Sequence, residues 1–355
     1  MQQSDIVAIS VCGYFVGLQT ETNHYLVMEQ IIETLLANPV SLALVIVFGF
    51  IFLLLGADGL VDGASALAKR CGVSTLVIGM TVVAFGTSMP EFVVNMYSVA
   101  EGQTNLALTN IIGSNIINIF VILGLTALVY PISSQKSSRM FDIPMNILAG
   151  VLTLVAVVVT LPFETTQGMS RLSGIVMLIV FAVFMYHSVK TAHDDSDDAA
   201  EVQPMPLWKA LLLIMFGLCG LVVGGEMIVR GSVRVATMLG VSDAIIGLTI
   251  VALGTSLPEL ATSVVAAAKH NCDLALGNII GSVSFNVFFI LGTSATIRPL
   301  PAYDGIVLDC IMATLGALLV WLGVQTNTQH QLTRRHGALL LTVYAVYLTY
   351  RLMNC

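Results

Sequence analysis

The sequence predicts an all-α integral membrane protein of about ten transmembrane helices in two inverted-topology repeats of five. Three observations carry this. The 355 residues are 57% hydrophobic and only 10% charged, whereas a soluble domain has about 25% charged and about 45–50% apolar residues. The apolar residues gather into ten long runs. A stretch of the first half also recurs in the second half at a fixed shift, with an odd number of runs separating the copies, which inverts one relative to the other.

Taken in order, the runs cover 40–64, 75–99, 104–129, 141–161, 172–190, 207–230, 243–268, 272–296, 304–324 and 336–353. A hydrocarbon core of about 30 Å needs about 20 apolar residues per helix, so each run reaches across, some with tilt. Pro131, Pro162 and the pair Arg334 and Arg335 punctuate the breaks. Residues 40–190 form the first membrane repeat and 207–355 the second. Between them, 191–206 reads as an acidic cytoplasmic linker, because its Asp cluster lacks the Gly and terminal Glu of an EF-hand loop. Residues 1–38 read as an N-terminal extension of unknown role. The apolar stretch 6–18 is too short to span, and no Lys or Arg precedes Lys69, so the positive n-region of a secretory signal is missing. A start at Met28 would remove most of this extension.

Charge and cysteine usage narrow the function. The net charge is −7 and no basic patch occurs, which argues against a nucleic-acid partner. The six Cys are scattered without a Cys-x-x-Cys pair, so no zinc or redox motif is present. Counting Lys and Arg on alternate sides of the ten runs puts five with the N-terminus and nine opposite. The positive-inside tendency makes the richer side cytoplasmic, with both termini outside.

The repeat sets 79–126 beside 247–294 with a shift of 168 and no gaps, and 23 of 48 positions are identical. Upstream, Gly56 meets Gly224, Asp58 meets Glu226 and Gly63 meets Gly231. Its centre is Gly86-Thr-Ser-Met-Pro-Glu91 and its twin Gly254-Thr-Ser-Leu-Pro-Glu259. Pro removes a backbone donor and clashes with the preceding turn, while Gly releases the chain from helical geometry. A broken helix at mid-membrane follows, with carbonyls near Ala84 and Thr87, and near Ala252 and Thr255, freed as ligands. An ionised Glu at mid-membrane costs about 2.5–3.5 kcal/mol or more, and two repel each other. A bound cation offsets both penalties, and hard oxygens select Ca²⁺ or Na⁺ over soft metals. The next runs add Ser114 with Asn118 and Ser282 with Asn286, each pair four residues apart and so on one helical face. Small Gly113 and Gly281 allow close helix approach. Asp58 and Glu226, near span ends, read as snorkelling side chains or structural pairs.

These motifs closely resemble the two α-repeats of the sodium/calcium exchanger, or cation/Ca²⁺ antiporter, superfamily, and most of all its compact bacterial members. The likeness covers residues 40–355. It implies Glu91 and Glu259 as the central ligands of Ca²⁺ and Na⁺. Thr87, Ser88, Ser114 and Asn118 complete one half-site, and Thr255, Ser256, Ser282 and Asn286 the other, with the Ala84 and Ala252 carbonyls joining them. The first and sixth helices are expected to slide as a gate over this core. The resemblance implies Ca²⁺ and Na⁺ as transported substrates, no cofactor, the lipid bilayer as surroundings and no protein partner, with a bacterial inner membrane as location. Two departures stand out: Val283 replaces a common Asn, and Asn286 stands where some members carry Asp. The alternatives are a H⁺-coupled Ca²⁺ antiporter and, from another class, a cation channel or a non-transporting membrane scaffold. An intramembrane enzyme is disfavoured, since no nucleophile–base pair accompanies the carboxylates.

Overall fold

The computed structural model describes residues 36, 38–159, 167–190, 205–240, 252–326 and 328–353. The expected extension 1–38, except for residues 36 and 38, lies outside the described residues. So do most of the linker 191–206, Pro162 and the first part of the seventh run.

Local signals place the helix ends. Asn38 caps α1 (Pro39–Cys71), its side chain accepting the Val40 N–H at 2.9 Å with Pro39 in the first turn. Gly72, at φ 66°, closes α1 in the left-handed conformation. Ser74 caps α2 (Thr75–Thr87). Ser88 then interrupts the helix, and α3 (Met89–Ala100) departs at a bend of 47°. The first half continues with α4 (Thr104–Val129), α5 (Ser138–Val158) and α6 (Arg171–Lys190). The second half holds α7 (Leu207–Met238), the short α8 (Ala252–Thr255), α9 (Leu257–Ala268), α10 (Cys272–Ile297), α11 (Ile306–Thr326) and α12 (Arg334–Met353).

The chain is an all-α membrane protein. Among the described residues, seven helices are long and apolar enough to cross a membrane, or eight if the bent α2–α3 pair is one span. Every one of the ten apolar runs contains a helix. The count falls short of ten because only α8 and α9 of the seventh run are described, and because α12 carries Arg334, Arg335, His336 and Arg351. α1 and α7 run past their expected ends at 64 and 230 to Cys71 and Met238.

α4 and α10 are the centre of the molecule. Their most apolar windows are 83% and 94% buried, against 28%, 22% and 33% for α1, α6 and α7. The outer helices turn large apolar residues such as Phe50, Leu55, Val183 and Phe216 outward.

α1 and α7 cross through a seam of glycines. A Cβ on Gly56 would stand 2.8 Å from the Gly217 carbonyl oxygen, and one on Gly217 would stand 2.8 Å from that of Gly56. A Cβ on Gly224 would reach 2.6 Å from the Gly49 oxygen, and one on Gly49 would reach 3.0 Å from that of Gly224. Because Gly49 meets Gly224 while Gly56 meets Gly217, the two helices run antiparallel. Gly49 and Gly56 are also related to Gly217 and Gly224 by the 168-residue shift, so each contact has a mirror image. Backbone meets backbone here, the close approach small residues permit.

Two short ladders also join the halves. β1 (Ile132–Ser133), after α4, pairs antiparallel with β4 (Gln331–Leu332). Similarly, β3 (Leu300–Pro301), after α10, pairs with β2 (Gly168–Met169). Finally, Lys269, in the turn after α9, clasps α1: its Nζ lies 2.7 Å from Asp58 Oδ1 and 2.6 Å from Asp62 Oδ1. Asn271 Nδ2 donates to Ser65 Oγ at 2.9 Å beside it. On α7, Glu226 pairs instead with Arg230 of its own helix at 2.6 Å. Asp58 and Glu226 are thus structural pairs, as the sequence suggested.

Candidate functional site

Each Gly-Thr-Ser-x-Pro-Glu motif breaks its helix at the Ser. Ser88 has φ −86° and ψ 8°, and Ser256 has φ −92° and ψ 7°, a bridge conformation that ends one helix and starts the next. Pro90 and Pro258 sit in the first turns that follow, where their missing N–H costs nothing. Glu91 and Glu259 occupy the same first turns, at the positive ends of α3 and α9. The negative ends of α2 and α8 meet at the same breaks. Each break therefore offers carboxylate, hydroxyl and helix-end groups at one point.

The two halves are cross-linked at these carboxylates. Ser88 Oγ donates to Glu259 Oε1 at 2.8 Å, and Ser256 Oγ donates to Glu91 Oε1 at 3.3 Å. Each copy's serine thus serves the other copy's glutamate. Thr87 and Ser282 also face Glu259, and Thr255 faces Glu91. Both glutamates are fully buried, and Oε2 of each has no hydrogen-bond partner. Neither makes an ion pair among the described residues.

Polar side chains facing the carboxylates, and two on the stretches of α4 and α10 packed against α9 and α3, show the same unfilled capacity. Asn118 is fully buried with neither amide atom partnered, and Asn286 Oδ1, Ser282 Oγ and Thr255 Oγ1 are likewise orphaned. Buried polar atoms are otherwise almost always bonded, so a cluster of orphaned oxygens around two carboxylates is suited to a ligand that accepts lone pairs. No group of three or more His, Cys, Asp or Glu occurs among the described residues. The donor set is two carboxylates amid neutral oxygens, which is hard-cation chemistry.

Each expected site residue can be placed. Glu91, Glu259, Thr87, Ser88, Ser256, Ser114, Ser282, Asn118 and Asn286 are all buried, and Thr255 is half-buried. The Ala84 carbonyl, expected to be freed by the break, is hydrogen-bonded in this structure. It accepts the Ser88 N–H at 3.0 Å, and the Thr87 hydroxyl, whose single proton is shared with Asn278 Oδ1, lies 3.3 Å away. Ala252 lies in α8, the equivalent turn. Gly281 packs as expected, a Cβ there meeting Met80 Cα at 2.6 Å. For Gly113 the residue mirroring Met80 is position 248, which lies outside the described residues.

The pattern did not reveal the layer behind the site. Asn278 accepts from Thr87 Oγ1 at 3.1 Å and donates to Ser263 Oγ at 2.9 Å. Asn110 donates to Asn95 Oδ1 at 3.3 Å, and Asn95 donates to Ser294 Oγ at 3.2 Å. Asn95 and Ser263 each follow a site Glu by four residues, so helical spacing was the available signal. Asn118 and Asn286 also lie in π-helical stretches, Ile117–Ile122 and Phe285–Leu291, and π-bulges recur at functional sites.

The sequence matches the family described as "Sodium/calcium exchanger protein" over residues 41–190 and 209–353. The chain belongs to the sodium/calcium exchanger family. Among its relatives, the "Putative antiporter CaxA" of Alkalimonas amylolytica is 35% identical over 316 residues, 85% of this chain and 96% of that protein. The "Sodium/calcium exchanger MaX1" of Methanosarcina acetivorans is 28% identical over 339 residues, 86% of this chain and 97% of the relative. The solved structure of the sodium-calcium exchanger NCX_Mj soaked with 10 mM Na⁺ and zero Ca²⁺ superposes with a TM-score of 0.75 at 31% identity, covering 87% of this chain and 98% of that one. This exchanger-family chain is therefore an integral membrane transporter and not an enzyme.

Proposed function

We propose that the protein exchanges Na⁺ for Ca²⁺ by alternating access, binding both cations between Glu91 and Glu259 at mid-membrane. The observation that carries this reading is the pair of fully buried carboxylates, each held by the other copy's serine and each with one oxygen unpartnered. Two uncompensated carboxylates in a bilayer are costly. Ca²⁺ neutralises both, and so do two Na⁺, which makes the ions competitors for one site. Thr87, Ser88, Ser114 and Asn118 line one side of the bound ion, and Thr255, Ser256, Ser282 and Asn286 the other. The Ala84 carbonyl joins when the Thr87 hydroxyl turns from it, and the Ala252 carbonyl takes the equivalent place.

The repeats comprise residues 40–190 and 207–355, inverted with respect to each other. The antiparallel glycine seam, with its mirrored contacts, supports that inversion. α1 and α7 act as the gate. Their seam makes them one unit, and the Lys269 clasp fastens that unit to the core on one face. The Lys and Arg excess on the Lys269 side supports a cytoplasmic assignment for that face, with both termini outside a bacterial inner membrane.

The test is Ca²⁺ uptake into proteoliposomes under an outward Na⁺ gradient, beside a pH gradient without Na⁺. Uptake driven by Na⁺ alone supports the reading. Uptake driven only by the pH gradient makes the protein a H⁺-coupled Ca²⁺ antiporter on the same site. Ca²⁺ flux with no gradient requirement makes it a channel, and no flux at all refutes Ca²⁺ transport.

A further inference from the structure

The two halves of the site match at the glutamates, serines and threonines but not behind the asparagines. Asn286 Nδ2 donates to Asn115 Oδ1 at 3.2 Å across the interface of α10 and α4. Both side chains are buried. The bond occupies the amide nitrogen and leaves Asn286 Oδ1 as the buried, unpartnered atom. The carboxamide is therefore held with its oxygen available.

The mirror arrangement would place a residue behind Asn118. The position related to Asn115 by the 168-residue shift is Val283, which can neither donate nor accept. Asn118 accordingly has no partner at either amide atom although it is fully buried. A second contact is one-sided as well. Ser284 Oγ donates to Asn146 Oδ1 at 2.7 Å, whereas the mirror positions are Ile116 and Thr314. α10 is thus bonded to both α4 and α5 behind the site, and α4 has no matching bonds to the second half at the mirror positions. Asn115 and Asn146 also line one small cavity, with Val283 on its wall.

We propose that Asn115 is a positioning residue for cation binding: it holds the Asn286 carboxamide with its oxygen directed at the ion, while Val283 leaves the Asn118 carboxamide free to turn. This inference rests on the reading of the Glu91–Glu259 centre as the cation site. One half of the site is pre-organised and the other adapts. A fixed oxygen lowers the ordering cost of binding. A rotatable amide can offer oxygen to either of two cations that differ in preferred ligand number. Asn115 touches no ion itself and acts only through Asn286.

The experiment measures ⁴⁵Ca²⁺ binding, and its displacement by Na⁺, on the purified full chain. The proteins are wild type, Asn115→Val, Asn286→Ala, the Asn115→Val/Asn286→Ala double variant, and Val283→Asn. Asn115→Val is expected to weaken Ca²⁺ binding about ten- to a hundredfold, the range for residues that orient ligands. In the Asn286→Ala background the same change is expected to have no further effect, which a merely structural role would not produce. Val283→Asn supplies Asn118 with a partner and is expected to tighten Ca²⁺ binding and reduce displacement by Na⁺. The proposal is overturned if Asn115→Val binds as wild type does, if its effect persists without Asn286, or if Val283→Asn leaves both readouts unchanged. Should Asn115→Val fail to fold, Val283→Asn decides alone. If wild type binds neither Ca²⁺ nor Na⁺, the cation-site reading itself falls and this inference with it; wild-type binding with an inert Asn115 sinks the inference alone.

Discussion

The smallest unit that sets the chemistry is a serine hydroxyl bonded to a carboxylate on the opposite copy. Ser88 reaches Glu259 at 2.8 Å and Ser256 reaches Glu91 at 3.3 Å. Hydrogen bonds to charged groups are worth about 1.5–3 kcal/mol, so losing the shorter bond is expected to weaken cation binding about tenfold or more. Ser88→Ala should therefore impair Ca²⁺ affinity more than Ser256→Ala, as titration of the two purified variants would show. Equal losses would mean that the two bonds are equivalent once the ion is bound. The glutamates were legible from their position inside apolar runs beside Pro and Gly. Which serine serves which glutamate was not, because that depends on how the copies face each other. Ala84 shows the same limit: the helix break was readable, but the Thr87 hydroxyl that occupies its carbonyl was not.

Between elements, the α1–α7 seam makes a sharp distinction among glycines of one helix. A Cβ at Gly56 would press on Leu221 N at 2.7 Å and Gly217 O at 2.8 Å, whereas one at Gly59 meets nothing closer than 3.7 Å. Gly56→Ala is expected to lower the thermal midpoint in detergent, overpacking costing about 1–3 kcal/mol. Gly59→Ala should be neutral or stabilising by up to about 1 kcal/mol through helix propensity. A tolerated Gly56→Ala would mean that the seam is loose. The Lys269 clasp gives a second prediction. Burial alone would lower the Lys269 pKa, but the hydrogen bonds and charges of Asp58 and Asp62 outweigh it and raise the value above that of an ordinary lysine. Its contribution is therefore complete below the usual lysine range and lost as pH climbs through the raised value. The thermal midpoints of wild type and Lys269→Ala should differ at neutral pH and converge only in strong alkali. The matched Gly56 and Gly224 were visible in the sequence. Only the antiparallel crossing shows why both must be small, and the clasp joins residues 207 to 211 positions apart, beyond the reach of local pattern.

At the level of the molecule, duplication accounts for the centre of the fold. α4 and α10 are matched segments of the repeat and are the most buried helices. The ladders β1–β4 and β2–β3 each tie one copy to the other. Hydropathy located the ten runs because lipid enforces helices of membrane length. It could not foresee the π-helical stretches under Asn118 and Asn286, which leave composition unchanged. The same duplication predicts that neither half-site works alone. The most direct measurement is Ca²⁺ binding, with Na⁺ competition, to Glu91→Gln and Glu259→Gln. Each substitution removes one charge while keeping the shape of the side chain. Each change on its own is expected to abolish high-affinity Ca²⁺ binding and its displacement by Na⁺. Wild-type affinity in either variant would contradict a site shared between the two copies.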